Sequence, residues 1–199
     1  MTLPNAILFP QALLPLYVFE PRYRAMLKES LESQRMFAVA LPNDSTAANS
    51  ALVPHRVAGV GLIRACVDKP DGSSNLILQG VSRVRFTGLV QEKPFYVGRI
   101  QVLETEESDA LEVEALSVKV LELIGTMHDA GQIQADGILK FLRDIEDYDA
   151  LADIVTYSFV DNLLSKQEIL ETLNLRQRLQ KVIVALHKQA AGGDGLKLG

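Results

Sequence analysis

"VGLIRACVDKPDGSSNLILQGVSRVRF", residues 60–86, is two apolar runs separated by a turn. In Pro70-Asp71-Gly72-Ser73 the proline presets one backbone angle and the glycine supplies the other. The flanking runs are rich in Val, Ile and Leu, residues that suit a pleated, half-buried surface. A hairpin centred here makes the first half of the chain β structure. Working outward, the same reading places strands over 6–9, 36–41, 56–67, 75–79, 82–90 and 96–103. Gln79-Gly80 and Glu92-Lys93-Pro94 break the pattern between them. Residues 42–54, "PNDSTAANSALVP", are small and polar and read as a loop.

One helix, over 21–33, interrupts the strands. It opens inside "LPLYVFEPRYRAML", residues 14–27. Pro21 suits the first helical position, where its missing amide would have had no partner. Glu20 then lies beside the helix N-terminus, where a carboxylate is favoured. Arg22 and Arg24 cannot face one another on a helix, but either can pair with Glu20. The stretch reads as a strand-to-helix corner stapled by charge, or as a surface that holds peptide carboxylates or carbonyls through arginine.

The second half reads as helices. Val113, Leu116, Val120, Leu123, Ile124 and Met127 keep helical spacing behind an acidic start at Ser108-Asp109. A loose stretch with Gly125, Gly131 and Gly137 follows. Leu151, Ile154, Val155 and Phe159 mark a further helix. Ser165 and Glu168 fit a capping box, in which each side chain satisfies a free amide. Asn174 caps a last helix carrying Leu175, Leu179, Val182, Ile183 and Leu186. The expected division is a β-rich domain over 1–106, a helical bundle over 107–190 and a frayed tail over 191–199. No internal repeat is visible.

Composition bounds the class. The 199 residues are 48% hydrophobic and 23% charged, as in a soluble globular protein with a full core. No apolar stretch approaches the roughly 20 residues of a membrane helix. The opening MTLPNAILFP has no basic region and does not read as a secretory signal. With one cysteine, Cys66, there is no internal disulfide and no multi-cysteine zinc site. A cytoplasmic location is expected. Residues 1–100 carry 11 Lys/Arg against 7 Asp/Glu, whereas residues 101–199 carry 9 against 18. That asymmetry describes two units with different surfaces, and it is too mild for the concentrated basic face of a nucleic-acid binder.

The chemistry-bearing residues form no catalytic constellation. Cys66 sits in a strand with no local base to activate it and reads as a packed core residue. His55, His128 and His187 have no metal-ligand spacing. Gly59-Val60-Gly61 begins like a dinucleotide fingerprint, but Arg64 stands where the third glycine belongs and no helix follows. No phosphate-loop motif is present. Ser117–Lys119 and Ser165–Lys166 read as exposed helix positions rather than Ser–Lys catalytic pairs. Arg64, Arg83, Arg85 and Arg99 give the β half its positive balance. Arg83 and Arg85 alternate with Val84 and Phe86, so the arginines share one sheet face and the apolar pair the other.

Together "LFPQALLPLYVFEPRYRAML", the 60–86 block, "PFYVGRIQVLE" and "LADIVTYSFVDNLLSKQEILETLNLRQRLQKVIVAL" resemble the LON substrate-binding domain, the N-terminal part of the ATP-dependent protease Lon. The resemblance runs over about residues 3–188. The corner Val18-Phe19-Glu20-Pro21-Arg22-Tyr23-Arg24 and the element Gly80-Val81-Ser82-Arg83-Val84-Arg85-Phe86 carry most of it. It implies an α+β fold: a PUA-like β pseudo-barrel with one interrupting helix, then a helical bundle. Polypeptide recognition is implied too, without the ATPase and Ser–Lys peptidase modules of Lon. The resulting expectation is a standalone, non-enzymatic polypeptide-binding module, an adaptor or holdase, with no cofactor or metal. Its partners would be unfolded or exposed segments, and a protease or chaperone. Arg22, Tyr23, Arg83 and Arg85 are the expected polypeptide contacts, with Phe19 and Phe86 as core supports. RNA binding, by analogy with PUA-like folds, is the alternative. A ligand pocket where the two halves join is a third reading that no acid/base or metal cluster supports.

Overall fold

The computed structural model describes residues 1–43, 54–106 and 108–193. The chain divides into two compact units, Met1–Leu103 and Glu104–Gly199. It is an α+β protein with a five-stranded antiparallel sheet in the first unit and helices in the second. Among the described residues, no helix is long and apolar enough to cross a membrane. Most of the expected loop, residues 44–53, and the end of the expected tail, 194–199, lie outside the described residues.

The strands of the first unit are β1 (Leu13–Val18), β2 (Met36–Val39), β3 (Val57–Asp68), β4 (Ser74–Gln91) and β5 (Val97–Leu103). Helix α1 (Pro21–Glu32) follows β1. The sheet order is β1-β4-β3-β2, and β5 pairs with β4 beyond the end of β1. The β3–β4 hairpin turns where the sequence placed it. Gly72 takes φ +76°, its amide bonds Lys69 O at 2.9 Å, and the Asp71 carboxylate accepts from the Ser73 amide at 2.9 Å. One face of the sheet buries Leu14, Val18, Phe37, Val39, Ile63, Leu76 and Leu78 against Tyr23, Met26 and Leu27 of α1. A smaller cluster of Ala40, Ala58, Val60 and Val84 forms on the opposite face.

Two expectations change here, and both changes come from glycine. Residues 6–9 are not a strand. Ile7, Leu8 and Phe9 are buried, but their backbone crosses the sheet instead of joining it. A Cβ on Gly59 would overlap the carbonyl of Leu8, and one on Gly80 would overlap the carbonyl of Phe9. The edge strand is β1, which the apolar run 13–18 supplies. Gly80 is not a break either, since β4 runs through it as one strand of 18 residues. Gly80 donates to Ala12 O at 2.8 Å and accepts from the Gln11 amide at 3.0 Å, so the crossing segment satisfies its polar groups. Next to it, Gly61 pairs with Gly80 and Val60 with Ser82, which leaves Val81 as an extra residue in a β-bulge.

The second unit contains α2 (Ala110–Asp129), α3 (Ile138–Arg143), α4 (Tyr148–Phe159), α5 (Leu163–Glu171) and α6 (Leu175–Gly193). Asp109 caps α2 by accepting from the Glu112 amide at 3.0 Å. Val113, Val120, Ile124 and Met127 form its buried stripe, and Gly125 lies within the helix rather than ending it. Helix α5 is capped three residues before the start of the expected capping box. Asn162 accepts from the Ser165 amide at 2.8 Å, so Ser165 is a first-turn residue and not the cap. Asn174 does cap α6, accepting from the Gln177 amide at 3.1 Å. That helix continues to Gly193, into the stretch expected to fray.

Arg178 of α6 is fully buried and ties this unit together. Its guanidinium donates to Thr172 O at 2.8 Å, Leu173 O at 3.2 Å and Thr105 Oγ1 at 3.2 Å. It also pairs with Asp149, and lies 3.6 Å from Asp153 of α4. Thr105 in turn donates to Asp149 at 2.7 Å. Removing one side of such a pair strands the other charge away from water. Arg178→Met should therefore cost about 3–5 kcal/mol of stability in a denaturant melt. Lysine at the same place should recover little of that loss, because it lacks the planar fork. In the first unit, Gly80→Ala forces a side chain into a backbone carbonyl and should cost about 3 kcal/mol or more, at the upper end of overpacking effects. A far-UV thermal melt of each variant checks both.

Candidate functional site

The corner that opens the helix is built from alternation. Along β1, Leu14 and Val18 point into the core while Leu13, Pro15 and Tyr17 point out. Phe19 continues the outward set. Its ring stacks on Tyr17 with centroids 5.6 Å apart and planes 27° apart, yet the two residues are 59% and 49% exposed. Across the sheet Tyr17 pairs with Asn75, and Asn75 with Val67, which is exposed. Pro15 pairs with Ile77, and Ile77 with Ala65. A largely apolar shelf, interrupted by Asn75, thus faces solvent where a polar sheet surface is the norm. Phe19 was expected as a core support. It lies on the shelf instead, because the chain leaves β1 with its outward parity intact and Glu20 already turns into α1.

One cation stands at the shelf, and two arginines of α1 are held elsewhere. Lys69 Nζ sits 4.5 Å above the Tyr17 ring. Arg22 Nε bonds Glu20 Oε2 at 2.9 Å, and its guanidinium carbon lies 4.5 Å from the centre of the Tyr23 ring. The guanidinium of Arg24 fills the space a side chain at Gly72 would need. Glu20 is the N-cap position of α1, with Pro21 in the first turn, but its carboxylate goes to Arg22 rather than to a helix amide. Hydrogen bonds from Ser73 hold the Asp71 carboxyl below its usual range.

Of the four expected contact residues, the structure exposes two. Arg22 is exposed, over the Tyr23 ring and paired with Glu20. Tyr23 is buried, and its hydroxyl donates to Thr2 O at 2.9 Å while accepting from the Thr2 amide at 3.2 Å. Arg83 is only 4% exposed, next to Gly59 in the sheet, whereas Arg85 is exposed. Tyr17 and Arg85 are not brought together. Asn75, opposite Tyr17, and Arg85 are ten residues apart on β4, about 33 Å along a strand. The shelf was legible in "LLPLYVF", which is apolar at both parities. A strand with two apolar faces needs two partners, and only one is the core.

The remaining candidates are structural. Cys66 is half-buried at the margin of the main core. Burial first, and then the charge of Asp68, push its thiol pKa up, away from a nucleophilic thiolate. His128 Nδ1 accepts from the Ala135 amide at 3.3 Å, and its other nitrogen lies 3.5 Å from Asp136, which closes the loop after α2. Ser117, expected on the surface, is buried in α2. Among the described residues, no three His, Cys, Asp or Glu side chains gather as a metal site.

The family described as the ATP-dependent protease La (LON) substrate-binding domain matches residues 1–188. The chain belongs to this family. It is 24% identical over 189 residues to a Lon protease of Dictyoglomus thermophilum, and the match covers 95% of this chain and 24% of that protein. A Lon protease of Desulfosudis oleivorans is 28% identical over 203 residues, covering all of this chain and 24% of the relative. The chain therefore spans about a quarter of the length of these curated relatives. Among solved structures, the N-terminal domain of a Mycobacterium avium complex Lon protease superposes with a TM-score of 0.73 at 18% identity, covering 94% of this chain and 96% of that one. A Lon N-terminal domain protein from Xanthomonas campestris gives 0.62 at 19% identity, covering 92% and 95%. At those identities the likeness is one of fold.

The LON-domain sheet separates two arginines that the sequence treats alike. Arg83→Ala should lower stability by about 2–4 kcal/mol, because a buried arginine and its polar surroundings lose one another. Arg85→Ala should stay within about 0.5 kcal/mol of the parent. Urea melts of the two single variants, at equal protein concentration, separate these roles.

Proposed function

We propose that this LON-domain chain binds exposed, extended segments of polypeptide on the shelf formed by Tyr17, Phe19 and their sheet neighbours. The observation that carries the reading is the stacked aromatic pair held out in solvent. Folding gains nothing from leaving two large rings half-exposed, whereas a partner that covers them gains apolar burial at about 25 cal/mol per Å². Aromatic anchors of this kind supply most of the energy of protein–protein contacts. Lys69 stands over the Tyr17 ring and offers a polar contact. The family description as a substrate-binding domain supports the same reading. In this role the chain works by holding, as an adaptor or a minimal holdase, and carries out no chemistry of its own.

The test is titration of the purified chain with a fluorescently labelled, unfolded polypeptide at 50 and 200 mM salt, alongside an RNA oligomer. Polypeptide binding should change little with salt. Replacing Tyr17 and Phe19 together by alanine should weaken it at least about tenfold, with the melting temperature kept or raised, since both rings are exposed. Salt-steep binding of RNA, falling by orders of magnitude over that range, would overturn the proposal in favour of phosphate contacts.

A further inference from the structure

The β4–β5 ribbon has an open edge with two unlike faces. β5 pairs with β4 along one side, from Arg83–Leu103 to Gln91–Val97. Among the described residues, no backbone hydrogen bond engages its other side. Phe86 pairs with Ile100 and Val84 with Val102, so these four share a face, and Ile100 and Val102 are exposed on it. Gly98 widens that face, since the Phe86 ring lies 3.3 Å from where its Cβ would be. The opposite face carries Arg85, which pairs with Gln101, and Arg99 two residues along from Gln101. Both arginines are exposed, and neither has a carboxylate partner among the described residues.

We propose that the free edge of β5 is a strand-adding site for extended polypeptide in which apolar residues alternate with acidic ones. An added strand takes its affinity from main-chain hydrogen bonds and its specificity from alternate side chains. Because side chains alternate with period two, in an antiparallel addition residues i and i+2 of the added strand fall beside Val102 and Ile100, i+1 falls beside Gln101 with Arg85 one strand further across, and i+3 falls beside Arg99. The first pair of positions favours Val, Ile or Leu. The second favours Glu or Asp, since opposite charges across a strand pair are stabilising and like charges are not. Polypeptide as the class of partner is shared with the proposed function, but the surface is a different one.

The experiment uses the full chain and three labelled, capped peptides of eight residues. One alternates Val and Glu, a second has the same composition in two blocks, and a third alternates Val and Lys. The alternating Val–Glu peptide should bind roughly tenfold tighter than either of the others, the sum of a few cross-strand pairs. N-methylation of every second amide on its pairing edge should abolish binding. Arg85→Glu with Arg99→Glu, both at exposed positions, should reverse the preference toward Val–Lys. The variant lacking the Tyr17 and Phe19 rings should bind these peptides as the parent does, which separates this site from the shelf. Equal binding of alternating and blocked peptides, no reversal in the Arg85/Arg99 variant, or loss of binding with the shelf variant would each overturn the proposal.

Discussion

The carbonyls of Leu8 and Phe9 lie directly on Gly59 and Gly80, so close that no other residue fits at either place. Most of the first unit depends on that contact. It lets the chain cross over the sheet and then join it, through paired hydrogen bonds at Gly80, in register with β4. β1 starts where the crossing ends. The outward ring of Tyr17, the turn at Glu20-Pro21 and the packing of α1 over the core follow from where β1 is laid down. Without the two glycines the apolar run 13–18 would still be a strand by pattern, but it would have no place at the edge of β4.

The helical unit solves a different problem with a single side chain. Arg178 satisfies the open carbonyls of the α5–α6 turn and the carboxylates of α4 at once, and it reaches back to Thr105 at the unit's entrance. A buried charge is costly, and its partners are arranged so that every direction of the guanidinium meets an acceptor. The first unit relies on close backbone approach, and the second on a saturated polar hub.

Much of the architecture was legible in the sequence. The hairpin at Pro70–Ser73, the Pro21 helix start, the acidic start at Ser108-Asp109, the Asn174 cap and the change from strands to helices all rest on local chemistry that tertiary context left alone. Three of the errors share one kind of cause. Strand character at 6–9, a break at Gly80 and an outward-facing Arg83 were all read from local pattern, and all were altered by a contact between distant segments. Phe86 and Phe19 look alike in sequence, yet one leans on the small second cluster and the other is mostly exposed and stacked on Tyr17. As for the candidate site, Arg22 was read from the corner motif, and its guanidinium lies over Tyr23 rather than the shelf rings. The aromatic shelf was in plain view as a run apolar at both parities, but only the structure shows that Tyr17, Phe19 and Val67 stay exposed on it.

The bulge at Val81 reaches further than its size. Along β4, Leu76, Leu78 and Gly80 face the main core, and beyond the extra residue Arg83 takes that face in their stead. Even numbers point inward on one side of Val81 and odd numbers on the other. The strand is continuous in its hydrogen bonds and discontinuous in its phase. A one-residue indel in a strand ordinarily turns over every side chain beyond it, but deletion of Val81 would restore strict alternation and leave Ser82, Arg83 and Val84 opposite the same partners. Arg83 would stay beside Gly59 and Val84 opposite Ala58. The bulge absorbs one residue of length without changing the face that any other residue presents.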